Sequence, residues 1–369
     1  MMIPQGRWLV RLWLLACLLA GCRFPSSTRP LVKVGLLAPF EGLYRPLGYE
    51  VLYAVKLAIR ERNADGGVAG WGVELIALDD GLEVDEARRA AEKVVMDADV
   101  MGVIGPFSAA TAEAAAPILT KNALPWIAIT PMADETLQMG RPYAFRLFAS
   151  HRALADAAAQ YIDEHAPRPA IIRAGDDAMA DALAVALRQR GLDLALDVRW
   201  DAPRWQMIER ANVGALFVAG DAEAAADFLT GLRGRGLHLP VVVGPEAGKD
   251  ILAQRAGAYA EGVAWMSSVT NAPLSALPPS FVEGYRALAG KPPGPYALLA
   301  YDAAQVLLDA LAADIRRDAK PSRQGTADAL NAVQRDGLSG RVAFDGKGEW
   351  TDAPVHLYRV SQGNLYMTP

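Results

Sequence analysis

The chain has 369 residues, which is enough for two domains of ordinary size. Hydrophobic residues make up 52% of it and charged residues 21%, a composition that excludes an intrinsically disordered protein. The formal net charge of −5 offers no basic field, which argues against a nucleic-acid-binding protein.

The N-terminal segment has the pattern of an export signal. Arg7 and Arg11 precede an apolar run at 12–20, far shorter than the ~20 residues of a membrane span. The run leads into Leu-Ala-Gly-Cys, which resembles the bacterial lipobox, where a peptidase cuts before the cysteine and a diacylglyceryl group anchors it. We therefore expect residues 1–21 to be a lipoprotein signal peptide and Cys22 to be the lipidated N-terminus. The alternative is a plain signal peptide with a chance cysteine.

The cysteine content agrees with this expectation. The chain has two cysteines, Cys17 inside the expected signal and Cys22 directly after it. The rest of the chain therefore forms no disulfide and holds neither a thiolate catalyst nor a Cys-ligated zinc. Residues 22–30 are polar and rich in Pro and Ser, which predicts a tether. We expect an extracytoplasmic, membrane-anchored protein.

Beyond the tether, short β-rich runs alternate with longer helical patterns, and this rhythm occurs twice. In residues 48–67, for example, apolar positions recur at helical spacing until Gly66 and Gly67 end the pattern. The predicted strands are 31–39, 72–80, 100–105, 125–130, 143–149, 169–175, 194–200, 212–220, 239–245, 261–267 and 355–360, with two short runs in 340–350. The predicted helices are 48–67, 85–97, 109–121, 151–165, 177–190, 222–235, 279–289, 296–317 and 323–334.

The alternation of strands and helices predicts an α/β protein with parallel sheets that are covered on both faces. Because the series occurs twice, we predict two doubly wound lobes. Ligands bind such sheets at the carboxyl ends of the strands, near the topological switch point. Gly105, Thr130, Gly175, Gly220 and Gly244 all lie at or next to such ends, so two facing lobes would form a cleft there.

Motifs for enzymatic chemistry are missing from the sequence. The four histidines, His151, His165, His238 and His356, do not have the spacing of metal ligands. Ser108 stands in Gly-Pro-Phe-Ser-Ala and not in the Gly-x-Ser-x-Gly turn of a nucleophilic serine. These patterns favour binding over catalysis, and they predict no cofactor, no metal and no catalytic residue.

Seven segments resemble the type I periplasmic binding proteins, and within them the branched-chain amino acid receptors that feed ABC importers. The resemblance runs from about residue 32 to 366, and its most specific part is Asn-Ala-Asp-Gly-Gly-Val-Ala-Gly-Trp-Gly-Val-Glu-Leu. It implies an α/β fold of two doubly wound parallel-sheet lobes joined by three hinge crossovers, with a small-molecule ligand between the lobes. The segments are 33–48, 58–81, 102–111, 124–134, 243–248, 260–268 and 294–311. The implied lobes are 31–148 plus 274–334 for the first, and 149–273 plus 335–369 for the second.

The resemblance also implies a set of ligand-binding residues. In the family's amino-acid receptors, the loop that matches Phe107, Ser108 and Ala109 holds the α-carboxylate, a role that suits the amides of a helix start. The acidic residue that matches Glu246 binds the α-ammonium group. The other candidates, from a second loop and from the predicted cleft, are Tyr44, Thr130, Ala133, Asp134, Asp177 and Asp221.

The sequence departs from the family pattern in this set. Asp134 stands where Ser or Thr is usual, and a carboxylate there would repel a ligand carboxylate. Aromatic residues that are common near Ala178 and after Gly220 are missing. The cleft is therefore expected to be more acidic and less aromatic than that of a leucine receptor. Asp134, Asp177 and Asp221 together indicate a cationic or polyol ligand, although each alone is typical of a solvated surface acid.

Each candidate also has a structural alternative. The alternative role of Ser108 is a helix N-cap, that of Thr130 a strand-end hydroxyl and that of Glu246 a first-turn acid beside a helix dipole. The leading hypothesis is a monomeric, lipid-anchored solute-binding protein of an ABC importer, which binds an amino acid or related amine and partners a permease with its ATPase. A second hypothesis is a lipoprotein of this fold that regulates a cell-envelope synthase or sensor. A third is a hydrolase that uses Ser108.

Overall fold

The structure is a computed structural model that describes residues 29–201, 205–248 and 250–367, with the backbone alone for residues 250 and 364–366. The expected signal peptide, Cys22 and most of the expected tether lie outside the described residues. None of the described helices combines the length and the apolar character that a membrane crossing requires.

Five parallel strands form the first sheet, in the order β2-β1-β3-β4-β5. Along the β1–β2 pair, Leu31 lies opposite Gly72 and Ala38 lies opposite Asp79. The strands at the centre of the sheet read as apolar runs because helices cover both of their faces. The strands are β1 Leu31–Ala38, β2 Gly72–Asp79, β3 Val100–Ile104, β4 Trp126–Ala128 and β5 Ala144–Arg146.

Seven strands form the second sheet, in the order β14-β13-β10-β9-β8-β6-β7. The five strands from β7 to β10 are parallel, as predicted. The last two are antiparallel, because the chain returns beside β10 and then closes on itself as a hairpin. The strands are β6 Pro169–Ala174, β7 Leu196–Arg199, β8 Ala215–Gly220, β9 Val241–Val243, β10 Ala264–Ser267, β13 His356–Ser361 and β14 Asn364–Met367.

Helices connect the strands of both sheets. Three helices of seven residues or fewer were not predicted, because so few positions give no readable helical period. The predicted helix 323–334 ends at Leu330, where the chain turns into a further strand. The helices are α1 Arg45–Ala64, α2 Val84–Met96, α3 Ala109–Lys121, α4 Asp134–Met139, α5 His151–His165, α6 Asp177–Gln189, α7 Trp205–Arg210, α8 Ala222–Arg233, α9 Asp250–Ala256, α10 Pro279–Ala289, α11 Pro295–Asp318 and α12 Arg323–Leu330, with 3₁₀ turns at Gly257–Ala260 and Leu274–Ala276.

The hairpin of β11 Gln334–Gly337 and β12 Gly340–Ala343 packs on the first-sheet side of the molecule, against α11. The carboxylate of Asp302, a fully buried residue of α11, accepts hydrogen bonds from the amides of Leu338 at 2.8 Å and Ser339 at 2.7 Å. The sequence placed residues 335–369 in the second lobe. The hairpin instead lies against α11, because a buried carboxylate of that helix accepts hydrogen bonds from its turn.

The chain passes between the two sheets three times. The passages lie between Arg146 and His151, between Ser267 and Pro279, and between Trp350 and His356. The predicted lobe boundaries at 148 and 273 fall inside the first two passages, and the third passage lies later than predicted. The α/β fold of two mainly parallel sheets joined by three crossovers is thereby confirmed.

Candidate functional site

A cavity of 390 Å³ lies between the carboxyl ends of the two sheets. Its lining follows β2 and β3 of the first sheet and β6, β8 and β9 of the second, which is where ligands bind in open α/β sheets. Sixteen described residues line it. Six of them are candidates from the sequence, namely Tyr44, Ser108, Ala109, Asp177, Asp221 and Glu246.

The loop after β3 directs the start of α3 toward the cavity. Gly105 has a φ of +95°, and a Cβ atom there would lie 2.2 Å from the carbonyl oxygen of Leu37. This position therefore requires glycine. Ser108 follows in extended conformation as the N-cap, and its hydroxyl accepts a hydrogen bond from the Thr111 amide at 3.3 Å. The start of α3 consequently borders the cavity, with Ser108, Ala109 and Ala110 in its lining.

The Ser108 hydroxyl has the surroundings of a helix cap. Its other described contact is the hydroxyl of Thr111, at 2.8 Å. Within the described part of the chain, neither a histidine nor a carboxylate is hydrogen-bonded to this oxygen. A serine nucleophile needs such a base, so the geometry gives the hydrolase hypothesis no support.

Glu246 reaches across the cavity from the second sheet to the first. Its Oε1 accepts hydrogen bonds from the amide of Ala109 at 3.1 Å and from the hydroxyl of Thr130 at 2.5 Å. The side chain is buried, and Thr130, which does not line the cavity, is 1% exposed. A carboxylate of the protein therefore occupies the anion-binding position at the start of α3.

On the second-sheet side, aspartates cap the helices that follow two adjacent strands. A Cβ atom at Gly220 would lie 2.6 Å from the carbonyl oxygen of Ala174, so β6 and β8 end in close contact. Asp176 accepts a hydrogen bond from the amide of Met179 at 3.0 Å, and Asp221 accepts one from the amide of Ala224 at 2.8 Å. Both aspartates also belong to the lining of the cavity.

Asp176 was missed by the sequence analysis, although it stands next to the candidate Asp177. Its Oδ2 atom is buried and has no hydrogen-bond partner among the described residues. Burial above all, then the charges of Glu246, Glu113 and Asp177, raises the pKa of Asp176 to about 7, against the lowering effect of its bond to the Met179 amide. The Asp-Asp pair at a strand end was the available signal, and one of its two members was chosen.

The lining carries a large excess of negative charge. Two of its acids are paired with arginines outside the lining, Asp177 with Arg199 at 2.7 Å and Glu223 with Arg255 at 2.7 Å. None of the described lining residues is Lys, Arg or His. The seven acids are Glu83, Glu113, Asp176, Asp177, Asp221, Glu223 and Glu246.

Tyr44 is the one aromatic residue among the described residues of this lining. Burial, together with the charges of Asp221, Glu223 and Glu246, raises the pKa of its hydroxyl above the ordinary value, so the phenol stays protonated. Tyr44 also borders a second cavity of 290 Å³, whose wall includes Trp265. Aromatic surface is thus concentrated beside the acidic cavity and not within it.

Four candidates from the sequence do not line the cavity. Phe107 is 1% exposed and belongs to the hydrophobic core, Thr130 lies behind Glu246, and Ala133 is the buried residue before α4. The Asp134 carboxylate pairs instead with Arg146 at 2.7 Å. Because the Arg146 side chain is fully buried, it requires a counter-charge, and this pairing directs Asp134 away from the cleft. Asp134 is therefore not placed where it would repel a ligand carboxylate, as the sequence had led us to expect.

Three comparisons place the chain among known proteins. The model of the periplasmic binding protein family matches residues 31–364. Leu/Ile/Val-binding protein homolog 7 of Brucella melitensis is 34% identical over 134 residues, which are 36% of this chain and 32% of that protein. The match thus spans about a third of that relative's length.

Solved structures with the same fold cover nearly the whole chain. A leucine-binding protein, LivK, of Thermotoga maritima has a TM-score of 0.78 and 24% identity, covering 92% of this chain and 98% of its own. A putative branched-chain amino acid ABC transporter protein of Rhodospirillum rubrum has 27% identity and a TM-score of 0.65, covering 92% and 100%. The match of the family model over residues 31–364 and the shared two-sheet fold identify this chain as a type I member of the periplasmic binding protein family.

Proposed function

We propose that this chain is the solute-binding protein of an ABC importer. It would bind a small polar solute, an amino acid or related amine, and present it to a permease with its ATPase. The family consists of extracytoplasmic substrate-binding proteins of ABC transporters, and not of enzymes. The relatives named above are described as Leu/Ile/Val-binding or branched-chain amino acid transport proteins.

One observation carries the proposal, namely the cavity between the carboxyl ends of two sheets that three passages of the chain connect. Its volume of 390 Å³ falls within the range of small-molecule sites. Residues of both sheets contribute, so a bound solute would contact both lobes and stabilise their closure about the connecting segments. The contact of Glu246 with Ala109 and Thr130 spans the same gap and holds the two sides together.

The proposal includes a lipid anchor on Cys22, which is argued from the sequence alone. The short apolar run and the Leu-Ala-Gly-Cys tetrapeptide support it. In cells fed a radiolabelled fatty acid, we expect label on the protein and none on the Cys22→Ser variant. Cys17→Ser is the matched control and should keep the label. Equal labelling of the Cys22→Ser variant would contradict the anchor.

Solute binding is tested by thermal shift of the purified full chain against amino acids, amines, amides and sugars. We expect at least one of these solutes to raise the melting temperature in proportion to its concentration. Ala110 lies in the lining and is exposed, so Ala110→Trp should fill the cavity and remove the response. Ala332→Trp, at an exposed turn outside the lining, should leave the response unchanged. No response across the panel would contradict solute binding and favour the regulatory alternative.

A further inference from the structure

We propose that this cavity selects a small organic cation that carries amino groups and no carboxylate, of the class of aliphatic diamines. The inference rests on the proposed solute-binding function and names the chemistry of the solute. Three features of the cavity support it: Glu246 occupies the position where an anion would bind, the lining is acidic, and the acids come from both sheets.

The place where a carboxylate would bind is already filled. The amide of Ala109, at the start of α3, and the hydroxyl of Thr130, after β4, both donate to Glu246. A ligand carboxylate would have to displace Glu246 or lie against it. Two carboxylates at hydrogen-bonding distance repel each other strongly. The arrangement therefore disfavours an α-amino acid bound through its carboxylate.

The rest of the lining attracts positive charge. Arg199 and Arg255 compensate two of the seven acids, Asp177 and Glu223, from outside the cavity. Lys, Arg and His do not occur among the described lining residues, so no cation of that lining offsets the others. In a partly buried site, such an excess of carboxylates favours a cationic guest. The four acids that make no ion pair with a described residue are Glu83, Glu113, Asp176 and Asp221.

Asp176 gives the clearest indication of the chemical group that a ligand would carry. Its Oδ1 atom caps α6, but its buried Oδ2 atom lacks a hydrogen-bond donor among the described residues. A buried polar atom without a partner is unfavourable, and an ammonium group would supply the missing donor. Asp221 also caps a helix, α8, and borders the cavity, where its exposed carboxylate can meet the same ligand.

The distribution of the acids favours an elongated molecule over a single ion. Glu83 precedes α2 and Glu113 lies within α3, on the first-sheet side, whereas Asp176 and Asp221 lie on the second-sheet side. The lining also includes apolar side chains, among them that of Leu82. A metal ion needs several oxygens within about 2.0–2.6 Å of one point. Carboxylates from both sides of a cavity whose lining also has apolar side chains suit ammonium groups joined by methylenes.

The test compares two probes that differ by one carboxylate. Cadaverine (1,5-diaminopentane) is lysine without its carboxyl group, so isothermal titration calorimetry of both on the full chain isolates that group. We expect cadaverine to bind at least about tenfold more tightly than lysine. Equal or tighter binding of lysine would overturn the inference, as would a response to Mg²⁺ alone.

Failure of this inference is distinguishable from failure of the proposed function. If an amino acid binds and cadaverine does not, the chain is still a solute receptor, but the cation inference is wrong. If cadaverine, lysine and the whole solute panel give no heat and no thermal shift, the proposed function is wrong as well.

Variants of Glu246 test the blocked anion position directly. In Glu246→Ala, the donors of Ala109 and Thr130 become available, so the affinity for lysine relative to cadaverine should rise about tenfold. Glu246→Gln serves if the alanine variant fails to fold: it removes the negative charge but keeps an oxygen that can accept from Ala109 and Thr130, so the ratio should rise by less than in Glu246→Ala. The control is Glu283→Gln, which removes an exposed carboxylate of α10 outside the lining and should leave the ratio unchanged. An unchanged ratio in folded Glu246→Ala, or in Glu246→Gln where the alanine variant does not fold, would contradict the role of the Glu246 carboxylate in excluding a ligand carboxylate.

Discussion

The two sides of the cleft share one backbone plan but present opposite chemistry. On the first-sheet side, a strand ends at a glycine and α3 starts behind a serine cap, so the cavity meets amide donors. On the second-sheet side, strands end in the same way, but α6 and α8 start behind Asp176 and Asp221. The difference shows that the cap residue, and not the fold, determines the charge at each helix start. Glu246 then joins the two sides, because it brings an acceptor to the donors.

The largest expected effect tests the shared backbone plan. Gly105→Ala places a Cβ atom against the carbonyl of Leu37 in a conformation that alanine avoids. We expect a loss of about 3 kcal/mol in the free energy of unfolding. Urea denaturation followed by circular dichroism measures it. Gly346→Ala has open space at its Cβ position and should cost less than about 0.5 kcal/mol. Comparable stability of the two variants would contradict the tight turn after β3.

The next effect separates charge from capping on the second-sheet side. Asn is as good an N-cap as Asp, so Asp221→Asn should keep α8 intact while it removes a negative charge from the lining. We expect the affinity for cadaverine to fall about tenfold in calorimetry, with the free energy of unfolding changed by less than about 0.5 kcal/mol. Unchanged affinity would show that Asp221 is a cap and nothing more.

Replacement of the cap residue on the first-sheet side should lower the stability of the protein and leave its affinity for the ligand unchanged. Ser108→Ala removes the cap of α3 and should lower the free energy of unfolding by about 1 kcal/mol. Because the described bonds of the hydroxyl go to Thr111, the cadaverine affinity should stay within about twofold. Denaturation and calorimetry on the same sample measure both quantities. A large loss of affinity at constant stability would instead assign Ser108 a direct contact with the ligand.

The smallest expected effect is a pH dependence from Asp176. Its pKa is raised to about 7, so the carboxyl is mostly protonated at pH 6 and mostly ionised at pH 8, while an aliphatic amine stays charged at both. Ionisation adds a negative charge beside Glu246, Glu113 and Asp177, and a cationic ligand relieves that repulsion. Cadaverine affinity should therefore rise roughly fourfold between pH 6 and 8. Asp176→Asn should flatten the profile, and an affinity that falls as the pH rises would contradict the sign.

The sequence predicted the fold and the location of the cleft because both depend on local signals. Strand and helix periodicities lie within short windows, and strand ends are marked by Gly105, Gly175 and Gly220. Parallel sheets then bring those ends together without further information. The position of the hairpin at 334–343 does not follow from such local signals, because it depends on the buried Asp302 more than thirty residues earlier.

The contents of the site were less predictable because they depend on long-range pairings. Asp134 was taken as a cleft acid, but Arg146 is its partner, and no local pattern shows that this arginine is buried. Glu246 was expected to bind a ligand ammonium, whereas it also meets Ala109, 137 residues away in the chain. Residue type and position thus indicated which groups lie near the cleft, and not which of them bind each other.

The central claim is that the cleft binds a cationic solute between acidic caps while Glu246 keeps the anion position. A crystal structure of the full chain at saturating cadaverine tests it most directly. We predict one ammonium group within hydrogen-bonding distance of Asp176 and Asp221, with Glu246 still bonded to Ala109. A ligand seated outside this cavity, or Glu246 displaced from the start of α3 by the bound molecule, would contradict the claim.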